Sequence, residues 1–215
     1  MSNREQTGAQ LMENPEFHEV MPQLLEAHRA EAFLAALRQR LPEKKVRHCI
    51  SVTGHLLACS EDMGLDFDAS VAAGLLHDYA RALDNAEMLR RANACGIAVN
   101  GGQRARPKLL HGPVGAAEIA RDFGIEDEAV LEAVHWHTTG IPGVGRLAQA
   151  LYVADFSEPM RPYPEAEEAR TILACAGFDA ALCYVAETKL RFHEQKGAAD
   201  PHSMAFAAWV IAEFG

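Results

Sequence analysis

The chain has 215 residues, 49% of them hydrophobic and 23% charged, which suits one soluble domain with a sizeable core. No apolar run approaches the roughly 18 residues of a membrane span, and MSNREQTGAQ lacks the basic and apolar regions of a signal peptide, so no membrane association is expected and a cytoplasmic protein is. A net charge of -10 disfavours nonspecific binding to nucleic-acid polymers, which depends on phosphate neutralisation, but leaves room for a small phosphorylated ligand.

Residues 1 to 22 are polar, carry Pro15 and Pro22 and show little periodicity; they are expected to form a flexible leader before a domain of residues 23 to 215. Leu24, Leu25, Phe33, Leu34, Leu37 and Leu41 predict a helix ended by Pro42. Val46, Cys49, Ile50, Thr53, Leu56 and Leu57 predict a second. Val71, Leu75, Leu76 and Tyr79 predict a third, capped by Asp66 or Asp68. A short helix near 84 to 95 precedes GIAVNGGQRARPK, which reads as a loop. In LLHGPVGAAEIARDFG, Pro113 suits a first helical turn and Gly124 a C-terminal cap. Asp127 is placed to cap DEAVLEAVHWH, which HTTGIPG ends. RLAQALYVADF follows, then helices near 164 to 175, 178 to 195 and 203 to 214. Strand signals are scarce, so the fold class is all-α, a single domain with a short N-terminal extension.

Five cysteines with no C-x-x-C pair suggest neither a disulfide framework nor a thiolate zinc site; buried, reduced thiols are expected. Histidine and aspartate carry more information. The dipeptide His77-Asp78 means little alone, because 10 His and 10 Asp among 215 residues produce about half such a pair by chance. Its company gives it weight. His137 follows Val130, Ala133 and Val134 at i+7, i+4 and i+3 on one apolar face, whereas His135 is turned about 200° away. Asp155 lies on the apolar side of its helix with Leu147, Leu151 and Ala154, where an uncompensated carboxylate would cost several kcal/mol. A metal ion compensates it most directly, and an Arg or a helix N-terminus is the alternative.

His77 and Asp78 diverge by about 100° around their helix, so they can face two ions, with the two oxygens of Asp78 bridging metals about 3.5 to 4 Å apart. His48 sits mid-helix between apolar stripes, and His111 stands at the mouth of the helix carrying Pro113. Taken singly, each histidine reads better as an ordinary packing or loop residue than as a ligand. Five helical segments presenting His, His-Asp, His, His and Asp inward point instead to a metal centre, with imidazole and carboxylate donors suited to iron, zinc or manganese. His18, His28, His55, His135, His193 and His202 lack such support and are expected at the surface or in packing roles.

The segments LLHDYAR, PKLLHGPVGA, HTTGIPG and YVADFSEP, in this order, resemble the HD-domain phosphohydrolases of the YqeK type, the symmetrical dinucleoside tetraphosphatases, over roughly residues 30 to 215. The resemblance implies a helical HD fold, a binuclear centre usually taken to be iron, and cleavage of diadenosine tetraphosphate into two ADP. It assigns metal ligation to His48, His77, Asp78, His111, His137 and Asp155. The family's Arg-x-x-His start is Lys45-Val46-Arg47-His48 here, a nearby glycine is Ser51, and HD-x-Ala-Lys becomes HDYAR with Arg81.

Two bridged metals would acidify a water, neutralise the attacked phosphate and clamp an in-line geometry. Asp78, Arg81 and Arg161 are the expected catalytic residues. Arg81, Lys108 and Arg161 are the expected phosphate contacts, with Arg104 and Arg106 as weaker candidates. Thr138 and Thr139 either bond phosphate or cap a helix end. The partner is a small nucleotide, and a homodimer is compatible. An HD nucleotidase acting on another small nucleotide, or a nucleotide-sensing module without turnover, are the rival readings.

Overall fold

The computed structural model describes residues 27, 29–195 and 200–215, and among them there are helices and no strand. The expected leader, His18, His28 and the start of the first predicted helix at Leu24 and Leu25 lie outside the described residues, as does the side chain of His193. Eleven α-helices are described: α1 Ala30–Arg40, α2 Glu43–Ser60, α3 Phe67–Leu76, α4 Asn85–Ala94, α5 Gly101–Ala105, α6 His111–Phe123, α7 Glu128–Trp136, α8 Arg146–Ser157, α9 Pro164–Ala176, α10 Phe178–Gln195 and α11 Pro201–Phe214. The stretch read as a loop after α4 instead holds α5 and a 3₁₀ turn, Pro107–Leu110. Asn100 and Gln103 form a reciprocal capping box there, a signal that the glycines obscured.

Two helices are buried all round. In α3 every residue from Ala69 to Leu76 is buried, and in α8 every residue from Leu147 to Ala154. A helix without a polar face must sit at the centre of a domain. Accordingly α1, α2 and α7 pack on α3, while α2, α7, α9 and α10 pack on α8. One core joins them, running from Ala27 to Val210. A smaller cluster of Ala80, Met88, Ala92, Leu110 and Val114 seats α4 beside α6.

Local chemistry sets the helix ends. Asp66, Asp84, Asp127 and Asp200 accept N-terminal amides of α3, α4, α7 and α11. Gly124 ends α6 at φ 62°, in the left-handed region. The approach of α2 to α3 needs Gly74, since a Cβ there would lie 2.7 Å from Thr53 Oγ1 and 2.9 Å from Thr53 Cα. A buried Glu118 on α6 pairs with Arg40 at 2.6 Å and with Arg91, tying α1 and α4 to α6.

The cysteines are free, but not uniformly buried. Cys49 is buried and Cys59 and Cys183 are half-buried, while Cys95 and Cys175 are exposed, one in the turn closing α4 and the other on the outer side of α9. His55, expected in a packing role, faces Ser157 Oγ at 2.9 Å, and burial lowers its pKa to about 4. The unfolded chain takes up this proton near pH 6.5, so the contribution of neutral His55 is present above that value and is lost as pH falls towards 4. Thermal melts should therefore drop across this window, and His55→Gln should flatten the slope; an unchanged slope would remove His55 as the cause.

Candidate metal centre

Helix ends place three of the four histidines. His77 is the C-cap residue of α3, His137 that of α7 and His111 that of the 3₁₀ turn. A helix end leaves carbonyls without an intrahelical donor. In each case Nδ1–H donates to the carbonyl three residues back: His77 to Gly74 at 2.7 Å, His111 to Lys108 at 2.5 Å and His137 to Val134 at 2.7 Å. His48 lies inside α2, where the backbone carbonyls are used by the helix, and its Nδ1 faces Glu158 Oε1 at 3.0 Å. All four rings thus have Nδ1 occupied, which leaves Nε2 as the free donor nitrogen.

The four Nε2 atoms converge in two pairs. His48 and His77 are 3.3 Å apart, and His111 and His137 are 2.8 Å apart. Asp78 lies between the pairs, its Oδ1 3.0 Å from His111, 4.0 Å from His137 and 4.0 Å from His77. Asp155 Oδ1 is 3.2 Å from His48 and 3.8 Å from His77. Metal–nitrogen bonds of about 2.0–2.1 Å put neighbouring ligands roughly 2.9–3.4 Å apart and opposite ones about 4 Å apart, so these spacings fit the first shell of an ion. Two buried triads meet the requirement, His48-His77-Asp78 and Asp78-His111-His137, and they share Asp78. The four histidines and two carboxylates therefore suit two ions side by side, with no thiolate among the donors.

Electrostatics keeps the carboxylates ionised. Burial would raise the pKa of Asp78, but its interactions with His77, His111 and Lys45 hold it well below the usual carboxylate range. Asp155 is likewise opposed by burial and held low by Arg161, His48 and His77. Burial lowers the pKa of His77 and, more strongly, that of His137. For His48 burial also favours the neutral ring, yet hydrogen bonds to Asp155 and Glu158 prevail and raise its pKa.

The expected phosphate contacts distribute unevenly. Arg81 Nε is 3.8 Å from Asp78 Oδ1, at the edge of the cluster. Arg161 donates to Asp155 Oδ1 at 2.6 Å and to the Asp155 carbonyl at 2.9 Å, the arginine partner that the apolar setting of this carboxylate allowed. Thr138 Oγ1 stands 3.3 Å from His111 Nε2 and 3.2 Å from His137 Nε2, and Thr139 is buried beside it. The Lys108 ammonium lies on the carbonyls of Arg81 and Leu83, outside the ligand cluster, and Arg104 is exposed.

Three further residues belong to the site. Lys45 Nζ reaches Asp78 Oδ2 at 3.3 Å. Glu158 is buried and accepts from His48, from Ser51 Oγ at 2.6 Å and from the Met160 amide at 2.6 Å. A carboxylate three residues after Asp155 was the available clue. Lys189 of α10 donates to the His137 carbonyl at 3.0 Å with its ammonium 3.6 Å above the Tyr152 ring, and burial brings its pKa down to about 8. Nothing in the local pattern of α10 marks it.

The chain is similar to known proteins in sequence and in fold. The HD domain family matches residues 46–176. The symmetrical bis(5'-nucleosyl)-tetraphosphatase of Bacillus subtilis (strain 168) is 33% identical over 145 residues, 66% of this chain and 76% of that protein. The protein of the same name from Halalkalibacterium halodurans is 33% identical over 142 residues, 64% of this chain and 73% of its own. A crystal structure of a predicted HD superfamily hydrolase involved in NAD metabolism from Clostridium acetobutylicum superposes with a TM-score of 0.81 at 25% identity, covering 86% of this chain and 98% of that one. With the matched family spanning all six clustered residues, the chain belongs to the HD-domain phosphohydrolases, in the group of the symmetrical bis(5'-nucleosyl)-tetraphosphatases.

Proposed function

We propose that this protein hydrolyses diadenosine tetraphosphate and related dinucleoside polyphosphates symmetrically, giving two ADP from the former. The observation that carries the reading is the position of Asp78 between two histidine pairs, which lets one carboxylate serve two adjacent ions. The names of the relatives supply the substrate class. His48, His77, Asp78 and Asp155 would hold one ion, and Asp78, His111 and His137 the other. Iron is the proposed metal, with zinc and manganese compatible with the same donors. When bound, such a pair supplies an acidified water and neutralises charge on the phosphate under attack.

The protein's own groups do the rest. Lys45 and Arg81 flank Asp78, and Arg161 flanks Asp155, so one border of the site is positive in a chain of net charge -10. A polyphosphate is attracted to that border, and Arg81 and Arg161 can exchange part of their carboxylate contact for phosphate oxygens. Thr138, beside both His111 and His137, is placed to donate to a phosphoryl oxygen. The departing ADP leaves through a phosphate of low basicity, so no general acid is assigned. Lys108, whose ammonium rests on the Arg81 and Leu83 carbonyls outside the ligand cluster, would act on the outer phosphates.

We take residues 23–215 as the catalytic unit, since the core runs from Ala27 to Val210. No helix among the described residues is long and apolar enough to cross a membrane, and a cytoplasmic nucleotide enzyme is the proposed setting. Incubation of metal-replete protein with diadenosine tetraphosphate, followed by separation of the nucleotides, should yield ADP alone. AMP with ATP would refute symmetric cleavage. Phosphate released from nucleoside monophosphates instead would favour a nucleotidase, and tight binding without any product would favour a sensing module.

A further inference from the structure

Three of the four clustered histidines rest Nδ1 on a neutral carbonyl, while His48 rests it on a carboxylate. Glu158 is 2% exposed, and its oxygens are held by His48, Ser51 and the Met160 amide. Its main chain is held as well, because Arg170 donates to the Ser157 carbonyl at 2.9 Å and the Glu158 carbonyl at 3.3 Å. The carboxylate is thus fixed independently of any ion.

We propose that Glu158, aimed by Ser51, is a positioning residue that makes the His48 subsite the tighter of the two ion subsites and the first to fill. The inference rests on the two-ion reading of the centre and not on the identity of the nucleotide. An anionic acceptor on Nδ1–H locks the ring and pushes electron density towards Nε2, which strengthens it as a ligand more than a carbonyl does. Charge acts in the same direction. The His48 half has Asp155 and Glu158 in addition to the shared Asp78, whereas among the described residues the His111-His137 half has only Asp78 and the neutral Thr138 hydroxyl, with the Lys189 ammonium on the His137 carbonyl. Arg161, 3.4 Å from His48 Nε2, offsets part of this field, and the carboxylate behind His48 restores the ligand.

The test is calorimetric titration of chelator-stripped protein with zinc ion alone, with bound zinc counted by elemental analysis. Wild type should bind in two separable steps. His137→Ala should abolish the weaker step and keep the tighter one. Glu158→Gln should weaken the tighter step about 10- to 100-fold, the range for loss of an outer-sphere partner, and leave the weaker step within a factor of about three. Ser51→Ala should shift the tighter step in the same direction by less, and it decides the matter if circular dichroism shows Glu158→Gln to be unfolded. The proposal is overturned by a single indistinguishable step in wild type, by loss of the tighter step in His137→Ala, by an unchanged tighter step in a folded Glu158→Gln or, where that variant is unfolded, in Ser51→Ala, or by equal weakening of both steps. Two ordered zinc steps in a protein that makes no ADP would leave this inference standing and remove the proposed substrate.

Discussion

Replacing Asp78 by alanine is expected to cost the protein at least one of the two proposed ions and to lower turnover by at least about a thousandfold, equivalent to roughly 4 kcal/mol of transition-state stabilisation. Asp78 belongs to both buried donor triads, so its loss leaves each with a histidine pair and no shared carboxylate. It also removes the anion facing Lys45, 3.3 Å away, and His111, 3.0 Å away, which turns a compensated cluster into a positively charged one. The helices should persist, because α3 ends at Leu76 and its packing is carried by the residues before Asp78. Elemental analysis, circular dichroism and the nucleotide assay on the same preparation test this. Two retained ions with a normal rate would refute the bridging role.

Gly112→Ala should damage the scaffold of the site despite adding a single methyl group. A Cβ at Gly112 would meet the His135 carbonyl oxygen at 2.4 Å and that of Val134 at 3.0 Å. Both obstacles are backbone, so α6 and α7 would have to separate by about 1 Å, at a cost of about 1–3 kcal/mol or more. His111 precedes Gly112 and His137 ends α7, and their Nε2 atoms are only 2.8 Å apart. The same displacement should therefore lower the melting temperature by about 2–4 °C for each kcal/mol and deplete the ion of the His111-His137 subsite in preference to the other. An unaltered melting temperature together with full metal content would show that this helix crossing tolerates a methyl group.

Much of the scaffold was legible locally. Asp66, Asp127, Pro113 and Gly124 mark helix ends through interactions that span at most a few residues, and the structure places them there. The phase of His137 against Val130 and Val134 likewise anticipated an inward ring, now seen buried. The capping box of Asn100 and Gln103 was overlooked because Gly101 and Gly102 made the segment look like a loop. Lys108 and Arg161 illustrate a different limit. A basic residue near a ligand motif is legible as a candidate phosphate contact, whereas its resting partner is not: the Lys108 ammonium lies on backbone carbonyls and the Arg161 guanidinium on Asp155.

The amino-acid sequence by itself determined an all-helical chain, the order of its helices and the six residues now found together, because hydrophobic period and capping are short-range and the His-Asp motifs are local. Only the tertiary structure decided the pairing of those residues. His48 meets Glu158 across 110 positions, His111 meets His137 across 26, and Asp78 comes between the two pairs. These contacts depend on how α2, α3, α6, α7 and α8 cross, and the crossings are set by close approaches such as Gly74 on Thr53 and Gly112 on His135. Helical phase shows which way a side chain faces, while the packing of whole helices selects what it meets.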